Sequence, residues 1–223
     1  MLKKILIGIV ALVVLATGAA LMMPSTWHVE RAVSVKAKPE TIYASVGDLK
    51  QWETWTTWKA QDPTAKWDYS GAAVGQGAVM SWKGNKAGTG TLTLTKADPK
   101  AGVSYEMKME GMGIPAGGSI SFAAEGEGTK VTWVDDGDFG MFLPGRFMIG
   151  MMEKTLGKAF EEGLGRLKTN AEKAQVAADE KAAAEAKAKA EADAAAAKAA
   201  EEAKAAEEAA KKNPVKPAKG AKK

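Results

Sequence analysis

The chain has 223 residues, no cysteine and one histidine, His28, with 31 basic and 27 acidic side chains. Without cysteine it forms no disulfides, thiolate nucleophiles or zinc thiolate sites, and one histidine excludes most metal and triad chemistry built on that residue. The positive excess lies at the two ends, since residues 24–170 carry 17 basic and 17 acidic groups. This neutral middle segment lacks the basic face of a nucleic-acid binder, and we expect no nucleic acid partner.

The first segment predicts a transmembrane anchor over residues 1–26. Two lysines precede an uncharged run, Ile5 to Met23, which at about 1.5 Å of rise per residue is long enough to cross a bilayer. Lysines ahead of the span favour a cytoplasmic N-terminus, so we expect a single-pass protein of a bacterial-type inner membrane with its domain facing the periplasm or exterior. The alternative is a cleaved signal peptide, with small residues at Gly18 and Ala19, and it exports the same domain.

Residues 27–58 predict a strand followed by two short helices. Valines share one face of the strand, on which Arg31 is the exception. The first helix begins at Pro39, whose fixed φ suits the first helical position. The second short helix carries Trp52 and Trp55, which belong to a run of tryptophans at every third position.

After Pro63 the pattern changes to alternating apolar and polar residues with glycine-rich turns, which predicts an antiparallel sheet of about six strands. From Pro144 onward apolar residues recur at steps of three or four, which predicts one long amphipathic helix. The fold class is therefore α+β, with a curved antiparallel sheet around a long C-terminal helix. Such a sheet tends to leave a concave, mostly apolar cavity beneath the helix.

Four stretches carry a resemblance to a known family: VERAVSVKAKPETIYASVGDLKQWETWTTW, YSGAAVGQGAVMSWKGN, GMGIPAGGSISF and GEGTKVTW. They resemble the START-like, or SRPBCC, superfamily, in its polyketide cyclase/dehydrase and lipid-transport branch. The resemblance covers residues 27–170 and implies a helix-grip fold. This superfamily includes lipid carriers, hormone receptors, cyclases and oxygenase subunits on one scaffold. The resemblance therefore specifies the fold and leaves several functions open.

The resemblance also implies that the second short helix and the loop after it lie near the cavity mouth. Trp52 is expected in the core, and Trp55 or Trp58 at the mouth. Methionines gather around the predicted sheet and long helix, and flexible thioethers suit surfaces that accept variable apolar shapes. Ordinary core filling is the alternative. The predicted ligand-pocket residues are Trp55, Trp58, Met80, Trp82, Tyr105, Met107, Met109, Phe122, Trp133, Met148 and Met152.

Other patterns in the middle segment carry no assigned chemistry. GNKAGTG lacks the lysine and serine pair of a phosphate loop and predicts a turn. The run Asp135, Asp136 and Asp138 lacks the rest of a calcium loop, so we interpret it as a solvated strand end. We assign no catalytic residues, metal or cofactor. Glycines in the long helix each cost about 1 kcal/mol relative to alanine, and we expect close packing against the sheet or a hinge to compensate.

The remaining chain divides into two segments. Residues 171–212 are almost entirely alanine, lysine and glutamate, which predicts a long solvated helix. Residues 213–223 predict a disordered tail rich in lysine and proline, either a solubilising extension or a ligand for an anionic polymer of the envelope.

The sequence therefore predicts a membrane-anchored, extracytoplasmic protein that holds a hydrophobic small molecule or lipid in a helix-grip cavity. The first alternative is a cyclase-like or dehydratase-like enzyme, which requires a titratable group buried in the cavity. The second is an envelope scaffold, whose interior would hold no cavity larger than a few waters. A carrier requires an apolar cavity with a gated mouth.

Overall fold

The computed structural model of the chain describes residues 1–111 and 113–212, so the predicted tail at 213–223 lies outside the described residues. The helices are α1 (Leu2–Met22), α2 (Pro39–Val46), α3 (Trp52–Trp55), α4 (Trp58–Gln61) and α5 (Leu143–Lys212), with a 3-10 turn at Leu49–Gln51. The strands are β1 (Thr26–Val35), β2 (Lys66–Gly71), β3 (Ala78–Gly84), β4 (Gly88–Asp98), β5 (Gly102–Met109), β6 (Ala116–Glu125) and β7 (Gly128–Asp138). The predicted order of elements is confirmed.

All seven strands form one antiparallel sheet in the order β1-β7-β6-β5-β4-β3-β2. Each strand from β2 to β6 pairs with the next strand along the chain, and β1 completes the sheet by pairing with β7. The pairing shifts between Leu94 and Lys96 in β4, which inserts a bulge that bends the strand. Because side chains alternate between the two faces, every second residue points to the inner face beneath α5. The α+β helix-grip class predicted from the sequence is confirmed.

α5 packs on the inner face of the sheet through one apolar stripe. Phe160 stacks on Trp133, with ring centroids 3.9 Å apart and planes 5° from parallel. Leu164 and Leu167 are fully buried one and two turns later. The packing continues to Gln175, whose side-chain oxygen accepts hydrogen bonds from the Lys38 amide at 3.0 Å and from another donor on α2. Contacts therefore extend beyond residue 170, the predicted end of the domain.

The contacts within the chain divide it into two compact units, the first being Met1–Gln175. The second unit begins at Val176 and is helical up to Lys212. From Val176 onward, the described side chains are exposed. Ion pairs at four-residue spacing lie on this helix, including Lys181 with Glu185 at 3.8 Å. Such exposed pairs contribute little to stability, so this segment is held mainly by helix propensity.

α1 is exposed along nearly its whole length, and Ala20 near its end is the one residue of this helix that is buried. By length and composition it is able to cross a membrane, a property that signal sequences near an N-terminus share. Only Met23, Pro24 and Ser25 separate α1 from β1. The folded domain therefore begins directly at the end of this apolar helix.

Candidate functional site

The inner face of the sheet brings together ten of the eleven predicted pocket residues. All ten belong to the same apolar core: Trp55, Met80, Trp82, Tyr105 and Trp133 are buried, and Trp58, Met107, Met109, Phe122 and Met152 are partly buried against them. The exception is Met148, which is half-exposed on the first turns of α5 and lies outside this core. Apart from Met148, the alternation of the strands and the period of the long helix put these side chains on the inner side.

The tryptophans of α3 and α4 form one cluster over the sheet. Trp52 lies with its ring centroid 5.2 Å from that of Trp55 and 5.5 Å from that of Trp58, and Trp55 packs against Trp133 at 5.1 Å. The indole N–H groups of Trp52 and Trp55 donate to carbonyls at the end of α2, at 2.8 and 3.1 Å. Trp52 is in the core as expected. Trp55 is fully buried and lies deeper than a residue at the mouth, whereas Trp58 keeps partial exposure.

A small void lies beneath this cluster, between α4 and strands β2 and β3. Its lining includes Trp58, Trp67, Tyr69 and Met80, and its volume is about 10 Å³, which is room for roughly one water molecule. The indole nitrogen of Trp67 is buried and has no hydrogen-bond partner among the described residues. Buried donors in folded proteins are nearly always paired, so this group is an exception within a residue that also lines the void.

A buried hydrogen-bond network lies farther along the inner face and centres on Asp135, whose exposed fraction is 6%. Its two carboxyl oxygens accept hydrogen bonds from the Trp27 indole at 3.2 Å and from the Tyr105 hydroxyl at 2.9 Å. The Tyr105 oxygen in turn accepts from the Trp133 indole at 3.0 Å. Gly118 makes this arrangement possible, because a Cβ there would lie 2.5 Å from the Tyr105 hydroxyl.

Burial in this apolar setting perturbs both acidic groups of the network. Desolvation raises the pKa of Asp135 to about 6, although the hydrogen bonds from Trp27 and Tyr105 act in the opposite direction. Burial also raises the pKa of Tyr105 well above its usual value, and the nearby Asp135 charge adds to the effect. The domain therefore encloses one carboxyl group that changes protonation state close to neutral pH.

The interpretation of Asp135 as part of a solvated strand end is wrong. The alternation that places Val131 and Trp133 on the inner face of β7 places Asp135 there as well, while Asp136 points outward. Asp138 accepts a hydrogen bond from the Gly140 amide at 2.7 Å, which fixes the turn after β7. Extending the alternation by one more step would have predicted the buried carboxyl.

A wide groove of about 650 Å³ lies at one end of the sheet. Several lining residues belong to the outer face, among them His28, Glu106, Gly117 and Asp136. The His28 ring nitrogen lies 2.6 Å from a carboxyl oxygen of Asp136, and this contact raises the pKa of the exposed histidine. The groove is open to solvent, with charged groups at its rim, while Trp27, Met107 and Pro115 contribute apolar surface to its lining.

Metal-ligating side chains do not converge in the described ranges 1–111 and 113–212, where no group of three or more His, Asp or Glu residues could hold an ion. The aspartates after Trp133 alternate between opposite faces of β7 and are not directed at one point.

Solved structures with the same architecture include the di-domain ARO/CYC StfQ from the steffimycin biosynthetic pathway and a norcoclaurine synthase point mutant from Thalictrum flavum, both with a TM-score of 0.50. Their identities to the chain are 12% and 10%, and the match covers 66% of this chain in each case. It covers 51% of StfQ, about half its length, and 94% of the synthase. A protein from Chromobacterium violaceum, CV1439, is 16% identical with a TM-score of 0.47, over 67% of this chain and 99% of its own.

The similarities to StfQ and to the synthase show the fold alone and say nothing of the activity of this chain. Among curated proteins, no sequence matches the chain. A family model described as "Polyketide cyclase / dehydrase and lipid transport" matches residues 26–172, the stretch that forms the sheet and the packed part of α5. The chain therefore belongs to the polyketide cyclase/dehydrase and lipid transport family.

Proposed function

We propose that the domain binds an apolar small molecule or lipid in its interior, at the void beside Trp67. The observation that carries the proposal is the buried, unpaired indole N–H of Trp67. Leaving a buried donor unpaired costs about 1–3 kcal/mol, which a ligand with one acceptor oxygen would recover. The family's fold supports the proposal, because its curved sheet and long helix suit a ligand cavity.

The wall that must move to admit a ligand is α4, a single turn with no buried residue. Its Trp58 lines the void, and so do Glu53 and Lys59, which form an ion pair with each other. Exposed ion pairs are weak, so this pair offers little resistance to opening. The chain after α4 is fixed, since the buried carboxylate of Asp62 accepts four hydrogen bonds. Opening is therefore confined to the turn that carries Trp58.

The lining supports one class of ligand. Trp58, Trp67 and Met80 present flat aromatic and flexible thioether surfaces, and the Trp67 indole is a buried donor without a partner among the described residues. These features suit an apolar body with a single carbonyl or carboxyl oxygen, as in a fatty acid or a polyketide-like ketone.

We further propose that α1 anchors this domain in a bacterial-type inner membrane and that the domain lies outside the cytoplasm. The proposed boundaries are an anchor at 1–26, the helix-grip domain at 27–170, a solvated helix at 171–212 and a lysine-rich tail at 213–223. Support comes from the exposed apolar surface of α1 and from Lys3 and Lys4 ahead of it. An anchor keeps the interior close to the bilayer, where apolar ligands partition.

The test is native mass spectrometry of the full chain released from mild detergent, with solvent extraction to identify bound molecules. We expect one apolar molecule per chain, and retention of added oleic acid where no natural ligand survives purification. Trp67→Phe keeps an aromatic ring but removes the donor together with the pyrrole part of the indole, so the affinity for oleic acid should fall by at least about two- to tenfold, the equivalent of one hydrogen bond.

The matched control is Tyr43→Phe, which removes a hydroxyl outside the lining of this void and should leave the affinity unchanged. Equal retention by wild type and Trp67→Phe would place the ligand elsewhere. A chain that emerges bare and retains no oleic acid would instead support the scaffold alternative, which the water-sized void already fits.

The enzyme alternative is favoured by one observation, the pKa of Asp135 raised to about 6 by burial. A general acid or base must lie within hydrogen-bond reach of its substrate. Both oxygens of Asp135 are already engaged by Trp27 and Tyr105. We therefore assign Asp135 to the internal network and propose binding as the primary function.

A further inference from the structure

We propose that the first turns of α5 and the loop before them dock into the surface of the membrane beside the end of α1. This inference rests on the proposed anchoring by α1. The docking surface, here called the apolar patch, consists of five side chains that are half or more exposed: Met141, Phe142, Phe147, Met148 and Met151.

The composition of this segment is unlike a water-facing surface. Residues 139–152 contain no acidic residue and no lysine, and Arg146 is their one charged side chain. The inner side of the same turns is apolar too, since Ile149 and Met152 pack against the core. A helix that is apolar on all sides belongs in an apolar environment, and contiguous exposed apolar patches mark interaction sites.

Arg146 fixes the position of the patch relative to α1. Its guanidinium donates to the backbone carbonyls of Ala20 at 3.1 Å and Met23 at 3.2 Å, and also to that of Gly140 at 2.6 Å. The last carbonyls of a helix lack partners within the helix and carry the negative end of its dipole, so a cation is favoured there. The patch is thus held where α1 ends.

This position identifies the occupant as lipid. The exposed apolar surface of α1 continues through Leu21 and Met22 to its last turn, and the patch begins beside that turn. The charge of Arg146 is directed at backbone carbonyls, so the patch offers no free ionic group to select an acidic or basic protein partner. Phenylalanine and methionine side chains suit the boundary between headgroups and acyl chains, where amphipathic helices rest.

The same turns of α5 carry the apolar patch on their outer side and core residues on their inner side. Phe147, Met148 and Met151 face outward on the turns whose inner side carries Ile149 and Met152. Lipid contact with the outer side would therefore place one wall of the apolar core at the bilayer surface.

Because the chain contains no cysteine, single cysteines can be placed and spin-labelled without background. The test uses the full chain in phosphatidylethanolamine and phosphatidylglycerol vesicles, with Phe147→Cys and Met151→Cys as reporters. Lys158→Cys is the matched control, since Lys158 is exposed seven residues beyond Met151 and so lies on the same side of α5. Leu15→Cys reports on α1 itself. Collision rates with oxygen and with a water-soluble nickel chelate distinguish lipid, water and protein surroundings.

We expect labels at both patch positions to collide more with oxygen and less with nickel than the label at Lys158. Water-like collisions at Phe147 or Met151, with the Leu15 label in hydrocarbon, would overturn docking and leave the anchor intact. Low accessibility of a patch label to both reagents would mean contact with protein and would also overturn the proposal. A Leu15 label exposed to nickel would contradict the anchor itself and, with it, this inference.

Discussion

At the residue scale, the buried carboxyl of Asp135 makes the stability of the domain depend on pH. Its pKa is about 6 in the folded chain and about 3.9 in an unfolded one. Since folding raises the pKa, the protonated form stabilises the fold below about pH 4, and this contribution is lost as the pH rises through 6. A difference of about two units corresponds to about 3 kcal/mol in the free energy of unfolding.

Asp135→Asn should remove this dependence, because asparagine has a similar shape and does not titrate. We expect the free energy of unfolding of the wild-type chain to fall by about 2 kcal/mol more than that of the variant between pH 4 and pH 7. Urea unfolding of the full chain, followed by tryptophan fluorescence, measures the difference. Asp68→Asn is the control, since Asp68 is exposed on β2 and should give the wild-type slope. Parallel pH profiles for all three proteins would refute the assignment.

At the element scale, the glycines of α5 fall into two classes. Gly157 and Gly163 face close neighbours: a Cβ would lie 2.2 Å from an Arg31 nitrogen at the first and 3.2 Å from the Trp133 ring at the second. Gly150 and Gly165 have no neighbour within 4 Å of that position. Gly145 also has a close neighbour, since a Cβ there would lie 2.4 Å from the ring of Phe139, which follows the last strand. The close approach to the sheet expected from the sequence therefore explains Gly157 and Gly163, and not Gly150 and Gly165.

The pair Gly163 and Gly165 tests this distinction within two residues of one helix. Gly165→Ala should stabilise the chain by up to about 1 kcal/mol, because alanine favours the helix and meets open space. Gly163→Ala should destabilise it, because the Trp133 ring is held in a stack by Phe160 and cannot retreat. Thermal unfolding of both variants measures the sign of each change in stability. Equal increases in the unfolding temperature would show that the Trp133 ring can shift to make room for the methyl group.

The inward-facing side chains of the strands could be predicted from the sequence, whereas their partners could not. Period-two alternation predicted the inward positions of Met80, Tyr105 and Trp133, because a strand with one buried face must alternate. The same alternation places Arg31 on the inner face. Its guanidinium lies against Gly157 of α5 and donates a hydrogen bond to the Glu161 carboxylate at 2.6 Å. Partners so far apart in the chain are set by three-dimensional packing, and spacing within one strand does not reveal them.

The volume of the interior cavity could not be predicted from the sequence either. An aromatic residue on an inner face either lines a cavity or fills it, and its periodicity is the same in both cases. Of the two tryptophans predicted as candidates for the mouth, Trp55 packs against Trp133, and Trp58 lines a void with room for about one water molecule. Whether these aromatic side chains line a cavity or fill it depends on how the indole rings from α3, α4 and β7 pack against one another.

At the scale of the whole molecule, the stability of the first unit should depend on α5 up to Gln175 and no farther. Gln175 is buried and accepts two hydrogen bonds from the start of α2, and Glu172 accepts one from the Lys36 amide at 2.9 Å. Beyond Gln175 the described side chains are exposed. Two truncations of the chain, one ending at Ala178 and one ending at Asn170, separate these contributions.

The chain ending at Ala178 should unfold at the same urea concentration as the full chain, because it keeps every described buried residue of α5. The chain ending at Asn170 should lose about 2–4 kcal/mol, at roughly 1 kcal/mol for each of three hydrogen bonds and for the buried methyl of Ala171. Circular dichroism at 222 nm is a poor monitor here, because the removed segment is itself helical, so tryptophan fluorescence should follow unfolding. A lower midpoint for the Ala178 truncation would mean that the alanine-rich helix stabilises the first unit after all.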